Sequence, residues 1–280
     1  MRLGFRVFWR ICALCLVVGA AYVTTFVIFP YFDQRLPFFP AVLLGYIVLA
    51  YFLLPMASRF WRVVFKPNHI PRYVVTPDGW PSDPVNIAVV AKNKRHFVRI
   101  MNRAGWHTAD KATLYNAIRE GWAILTDKPY PTAPFSALYL FGRNFDIGFQ
   151  KSTLPSGSPR HRHHVRFWQL IDKPEHDTHG HYHYWLARLG HMLGRRKCIW
   201  IGAALEDTSS RGIRWRNLQI THLISPDHTL ERDTIISSLK AIDAVDSIQV
   251  IRDGKPFVMR GQNIGRKFIV DGNISVVVLK

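Results

Sequence analysis

Two uncharged apolar runs open the chain: ICALCLVVGAAYVTTFVIF over residues 11–29 and FFPAVLLGYIVLAYFLLPMA over 38–57. As helices rising ~1.5 Å per residue, both would reach across a hydrocarbon layer of about 30 Å. A helix is the expected form, because lipid offers backbone N–H and C=O groups no other partner. The short link PYFDQRLP predicts a hairpin. Pro40 and Pro55 fall near the ends of the second run, where they disturb a helix least. Pro67, Pro71, Pro77 and Pro81 then predict a linker over 67–84. VNIAVV (85–90) reads as a short buried strand. Asn93 is placed to cap a helix that Gly105 ends, and a second helix is expected over 113–125, with Leu114, Ala117, Ile118 and Ile124 as its apolar positions.

The period then changes to two. ALYLFGR (137–143), DIGFQK (146–151), RHHVRFWQL (162–170), KCIWIGAAL (197–205) and NLQITHLI (217–224) read as strands. LERDTIISSLKAI (230–242) reads as a helix, and SIQVIRD and FIVDGNISVVVL as closing strands with a hairpin turn at Asp271-Gly272. The pattern predicts an α+β fold: a transmembrane hairpin over 1–66, then a domain over 85–280 with a mixed or largely antiparallel sheet packed with helices.

Charge adds a setting. Lys and Arg number 37 against 19 Asp and Glu, a formal net charge of +18. Such a balance favours anionic partners such as phospholipid headgroups or phosphorylated small molecules. Arg2, Arg6 and Arg10 precede the first apolar run, and Arg59, Arg62 and Lys66 follow the second, with only Arg35 between. The positive-inside rule then puts both ends in the cytoplasm, making this a multi-pass inner (plasma) membrane protein with a cytoplasmic domain. Trp9, Tyr31 and Trp61 stand where interfacial aromatics belong. Cys12 and Cys15 lie inside the first run and Cys198 opens a strand, so neither a disulfide framework nor a zinc pair is expected.

Seven short pieces, DPVNIAVV (83–90), RAGWHTAD (103–110), SALYLFGRNFDIGFQK (136–151), RHHVRFW (162–168), WIGAALED (200–207), QITHLISPDHTLERD (219–233) and DGNISVVVL (271–279), occur in an order that resembles the LssY-like C-terminal domain family. The resemblance covers residues 83–280. It implies a membrane-associated bacterial protein, with secretion or envelope processes as the setting. It carries no catalytic roles, because the family has no assigned reaction. Residues 171–197 stand as an insertion between two of its pieces.

Within that insertion, HDTHGHYHYW places His176, His179, His181 and His183 close together. Metal binding needs ligands converging from a rigid frame. This stretch contains glycine and matches no zinc signature even with Glu175 and Asp177, so no metal or cofactor is expected. After it, Tyr182, Trp185, Leu186, Leu189, Met192 and Leu193 recur at helical spacing and form one apolar face. That face would suit a membrane surface. Packing on the domain itself is its ordinary fate.

RHHVRFW offers the clearest candidate chemistry. If Val165 and Phe167 enter the core, His164, Arg166 and Trp168 share the opposite face. An imidazole and a guanidinium in a row suit a phosphate or carboxylate. His222, Asp227, Glu231 and Arg232 gather where a strand gives way to a helix, and Arg143 stands at a hairpin. His164, His222, Asp227 and Glu231 are therefore the catalytic candidates, and Arg143, Arg166, Trp168 and Arg232 the ligand-binding ones. Capping accounts equally for Asp227 and Glu231 at a helix start. Two readings stay open. One is a membrane-anchored domain that binds an anionic ligand or a protein partner at the bilayer surface. The other is a hydrolase of phosphorylated or lipid substrates. No nucleotide-binding, serine-hydrolase or zinc-protease motif is present. With no nucleic-acid motif either, membrane proximity explains the cations more simply than nucleic acid does.

Overall fold

The computed structural model describes residues 15, 18–19, 21–53, 70–77, 79, 81–171, 182–194, 197–213, 220–224, 228–252, 257–260 and 267–280, some of the later strands by backbone alone. Near the N-terminus a π-helical turn (Thr24–Ile28) leads into α1 (Phe29–Asp33). After a tight link comes α2 (Phe38–Val48), continued by a π-helical turn (Leu49–Leu53). Pro30 comes just after the π-helical turn, with helical backbone on both sides of it. Leu36 N–H closes the link by donating to the Phe32 carbonyl at 2.8 Å. Small side chains are buried here (Ala41, Ala50), while Phe39 is 82 % and Phe52 65 % exposed. Among the described residues no helix is long and apolar enough to cross a membrane.

The following strands and helices are β1 (Tyr73–Val75), β2 (Pro81–Pro84), β3 (Ile87–Ala91), α3 (Lys94–Arg103), β4 (His107–Thr108), α4 (Leu114–Thr126), β5 (Tyr139–Leu140), β6 (Arg143–Asn144), β7 (Ile147–Ser152) and β8 (Arg162–Leu170). Then come α5 (Tyr182–Met192), β9 (Cys198–Ile213), β10 (Ile220–Ile224), α6 (His228–Ala241), β11 (Val245–Arg252), β12 (Phe257–Arg260), β13 (Lys267–Val270) and β14 (Asn273–Leu279). The main sheet runs β11-β14-β3-β9-β8-β7-β4, with β10 also on β9. Its β14–β3 pair is parallel and the others antiparallel, so the mixed α+β expectation holds.

Alternation along β8 decides the two layers. Val165 and Phe167, both fully buried, face a core shared with Ile87, Val89, Phe149 and Trp200 and closed by α3 and α6. Phe97 of α3 stands at its centre, its ring 4.9 Å from Phe167 and 5.3 Å from Trp200. Full burial of such a side chain contributes roughly 1.5–3 kcal/mol. Trp168, Ile201 and Ala203 face the other way, toward Val74 and Leu140 of the small β2-β1-β5-β6 sheet and the adjoining Leu138.

Three local expectations are corrected. The proline-rich stretch read as a linker holds β1 and β2, because Pro81 and Pro84 lie on an edge strand where a missing N–H is tolerated. The strand expected over 137–143 is broken into β5 and β6 by a turn at Phe141 and Gly142, both with positive φ (53° and 77°). Asp271-Gly272 is not a hairpin turn. It passes the chain from β13, paired with β12, to β14 in the main sheet.

Candidate functional site

β8 carries polar residues on both faces. On the face toward the small sheet stand Arg162, His164, Arg166 and Trp168, all at most 5 % exposed. They lie there because Val165 and Phe167 alternate into the core. Phe135 lies across this row. Its ring is 5.1 Å from the His164 ring, 5.2 Å from the Arg162 guanidinium and 5.0 Å from that of Arg166. Gly148, opposite Arg166 in register, makes the approach feasible, since a Cβ there would meet Phe135 at 2.4 Å.

Each guanidinium of the row meets a carboxylate. Arg166 donates to Asp83 at 3.0 Å, and Arg162 to Glu120 at 2.8 Å and to the Gln150 amide oxygen at 2.8 Å. Nearby, Arg143 is bound to Asp146 and to the Gln169 carbonyl, and the Trp168 indole N–H donates to the Arg143 carbonyl at 3.1 Å. Asp146 also accepts from the Gln169 backbone N–H at 2.8 Å. The arrangement brings His164, Arg166, Trp168 and Arg143 to one side of the sheet, as a buried and internally neutralised network. The guanidiniums of this network are paired with carboxylates of the chain itself.

The other face holds a separate pair. His163 Nδ1 lies 2.9 and 2.8 Å from the two oxygens of Glu231, at the start of α6, beside the Trp106 ring at 6.4 Å. Glu231 is 1 % exposed and the His163 side chain 20 %. Glu231 therefore meets His163, across the sheet from His164. Arg232 points elsewhere, to Asp271 at 2.8 Å and Asp233 at 3.0 Å. His222 lies on β10 opposite Arg211, with only its backbone described, and Asp227 lies outside the described residues. His176, His179 and His181 are also outside them. Among the described residues no group of His, Cys, Asp and Glu could hold a metal ion.

An open basic surface lies on α3. Asn93 caps this helix by accepting from the His96 N–H at 2.8 Å, and Phe97, Ile100 and Met101 bury one side. Lys94, Arg95, Arg99 and Arg103 are left on the other, where with Val98 and Asn102 they line a shallow groove of about 690 Å³. Lys92 adds a fifth cation, and no acid occurs between residues 84 and 109. Burial first, then Lys92 and Arg99, hold the half-buried His96 below the ordinary histidine pKa. The sequence signal was available: cations at i, i+1, i+5 and i+9 share the arc opposite Phe97, Ile100 and Met101. It was overshadowed by the histidines.

An α+β domain with an inward-facing ionic network and an outward-facing basic helix is thus defined. Residues 67–274 match the family described as LssY C-terminus, and the chain belongs to that family. No curated protein and no solved structure matches it.

Proposed function

We propose that the chain is a membrane-anchored domain that binds a phosphate-bearing anionic group at the bilayer surface, with the α3 groove as the binding face. The observation that carries this is the groove itself: four exposed Lys and Arg side chains on one helical face, without a neighbouring acid in sequence. The buried arginines are engaged by carboxylates, and the α3 cations are open to water. Exposed Phe39 and Phe52 beside buried Ala41 and Ala50 are what a lipid-immersed hairpin needs, with bulky apolar groups outward and small ones where helices approach. The uncharged runs over 11–29 and 38–57 support the same anchoring, with the domain on the cytoplasmic side of a bacterial inner membrane.

The test uses the full chain in detergent with a fluorescent short-chain phosphatidylglycerol as probe. Each cation near an anionic surface contributes ~1 kcal/mol, so R95E/R99E should weaken binding at least about tenfold. Unchanged affinity in that variant would remove the α3 face from consideration. In parallel, membranes bearing the full chain should retain it through alkaline carbonate.

A hydrolase acting on phosphorylated or lipid esters is the second reading, favoured by the His163–Glu231 pair. A carboxylate holding one imidazole nitrogen fixes the ring and leaves proton exchange to Nε2, the arrangement a general base uses. Ester hydrolysis by the full chain that disappears in H163A and in E231Q would support it. Activity retained in both would end it.

A further inference from the structure

α5 is built inside out. Its inward side is polar and aromatic: Tyr184 is fully buried and His191 is 7 % exposed, one on each side of the partly exposed Arg188. These three meet Arg143, Asp146 and Cys198. The Tyr184 ring lies 5.6 Å from the Arg143 guanidinium, and Arg188 Nη1 lies 3.9 Å from Asp146 Oδ1 and donates to the Tyr184 hydroxyl at 2.8 Å. His191 Nδ1 lies 3.6 Å from Cys198 Sγ, whose thiol burial pushes above its ordinary pKa. The apolar arc therefore faces outward, with Trp185, Leu186, Leu189, Met192 and Leu193 between 48 and 75 % exposed. The ordinary fate of an apolar helical face is reversed here.

We infer that this arc lies in the interfacial layer of an anionic bilayer, with Trp185 and the leucines among the upper acyl chains. Charge selects lipid as the occupant. The stretch from 182 to 197 contains no acid and ends on Arg195, Arg196 and Lys197, which suits anionic headgroups beside an apolar stripe. A Trp at the margin of a Leu and Met surface matches the chemistry of the headgroup boundary. The inference rests on the membrane reading above and adds a second, peripheral contact to it. A domain held at both its N-terminal anchor and α5 has its orientation at the bilayer restricted.

The full chain, with Cys12 and Cys15 replaced by serine and the buried Cys198 kept, is labelled with an environment-sensitive fluorophore at L189C. It is reconstituted into vesicles of phosphatidylcholine and phosphatidylglycerol that carry spin-labelled acyl chains. A D243C label serves as control, because Asp243 is an exposed turn residue at the end of α6. The expected result is a blue-shifted emission at 189, quenched at least twofold by the spin-labelled lipid, with the 243 label unquenched. Adding L186E/M192E should abolish the quenching. A 189 label as unquenched as the 243 label overturns the inference. A blue shift without lipid quenching also overturns it, and assigns the arc to a protein contact. Headgroup binding at α3 persisting with an unquenched 189 label removes this inference alone. A quenched label with R95E/R99E binding unaltered removes the α3 reading alone.

Discussion

Arg166 donates to Asp83 at 3.0 Å across 83 positions of sequence, with both side chains at most 6 % exposed. The bond ties a proline-rich edge strand to β8, an interior strand of the main sheet. Removing one member of such a pair leaves the other charged and buried, which costs ~3–5 kcal/mol. D83A is expected to lower the denaturant midpoint of the detergent-solubilised chain accordingly. The D83L/R166M pair should lose less, because a matched apolar replacement strands no charge.

Gly148 has a steric role. An added Cβ meets two Phe135 ring carbons at 2.4 and 2.7 Å, and Phe135 cannot retreat without uncovering His164 and Arg166. G148A should therefore destabilise by ~1–3 kcal/mol, the usual range for overpacking. Thermal unfolding followed by near-UV circular dichroism checks this, and F135L in the same background should restore part of the loss.

On the proposed reading of α3, His96 should make anion binding there depend on pH. Its pKa is depressed by burial and by Lys92 and Arg99. An anion that neutralises those cations relieves the second part and raises the pKa. By linkage, an anion of fixed charge then binds more tightly as pH falls through the His96 titration. A phosphodiester probe measured at about pH 7.5 and about pH 5.5, on either side of the ordinary histidine value, should gain affinity at the lower pH. H96A should lose most of that gain.

Acid should loosen the junction between α6 and the start of β14. Burial raises the Asp271 pKa, but hydrogen bonds from the Asn273 N–H and from Arg232 outweigh it and hold the carboxyl below its ordinary value. A depressed folded pKa means the contribution is complete above the unfolded value near ~4 and is lost as pH falls through the folded one. In D271N the slope of stability against pH below about pH 5 should be shallower than in the wild type.

Much of this architecture was readable from residue patterns. Alternation along RHHVRFWQL gave β8 at its observed bounds and placed His164, Arg166 and Trp168 on one face. Asn93 and Gly105 marked the ends of α3, the first through its cap and the second through its positive φ of 82°. What could not be read were the partners. Asp83, Glu120 and Asp146 neutralise the buried arginines from positions fixed by the tertiary fold, and local spacing carries no trace of them. Glu231 looked like a companion of His222, yet α6 packs on the face of β8 opposite His164, which brings Glu231 to His163. Helical periodicity correctly found an apolar arc on α5, but the packing on the domain expected for it is not what the structure shows, since the arc is exposed. The inward side is chosen by Tyr184, Arg188 and His191 meeting Arg143, Asp146 and Cys198. α4 departs likewise. Its Leu114, Ile118, Trp122 and Leu125 point outward while Ala123 is buried, because Arg160 and Arg162 hold the helix through its carbonyls and Glu120.

Isothermal titration of the full detergent-solubilised chain with inorganic phosphate, at constant ionic strength and against chloride, measures the α3 site without lipid or label. Saturable binding to the wild type is expected, with affinity reduced about tenfold or more in R95E/R99E and the fold unchanged. Equal heats for wild type and variant, or no phosphate binding beyond the chloride control, would contradict the α3 reading.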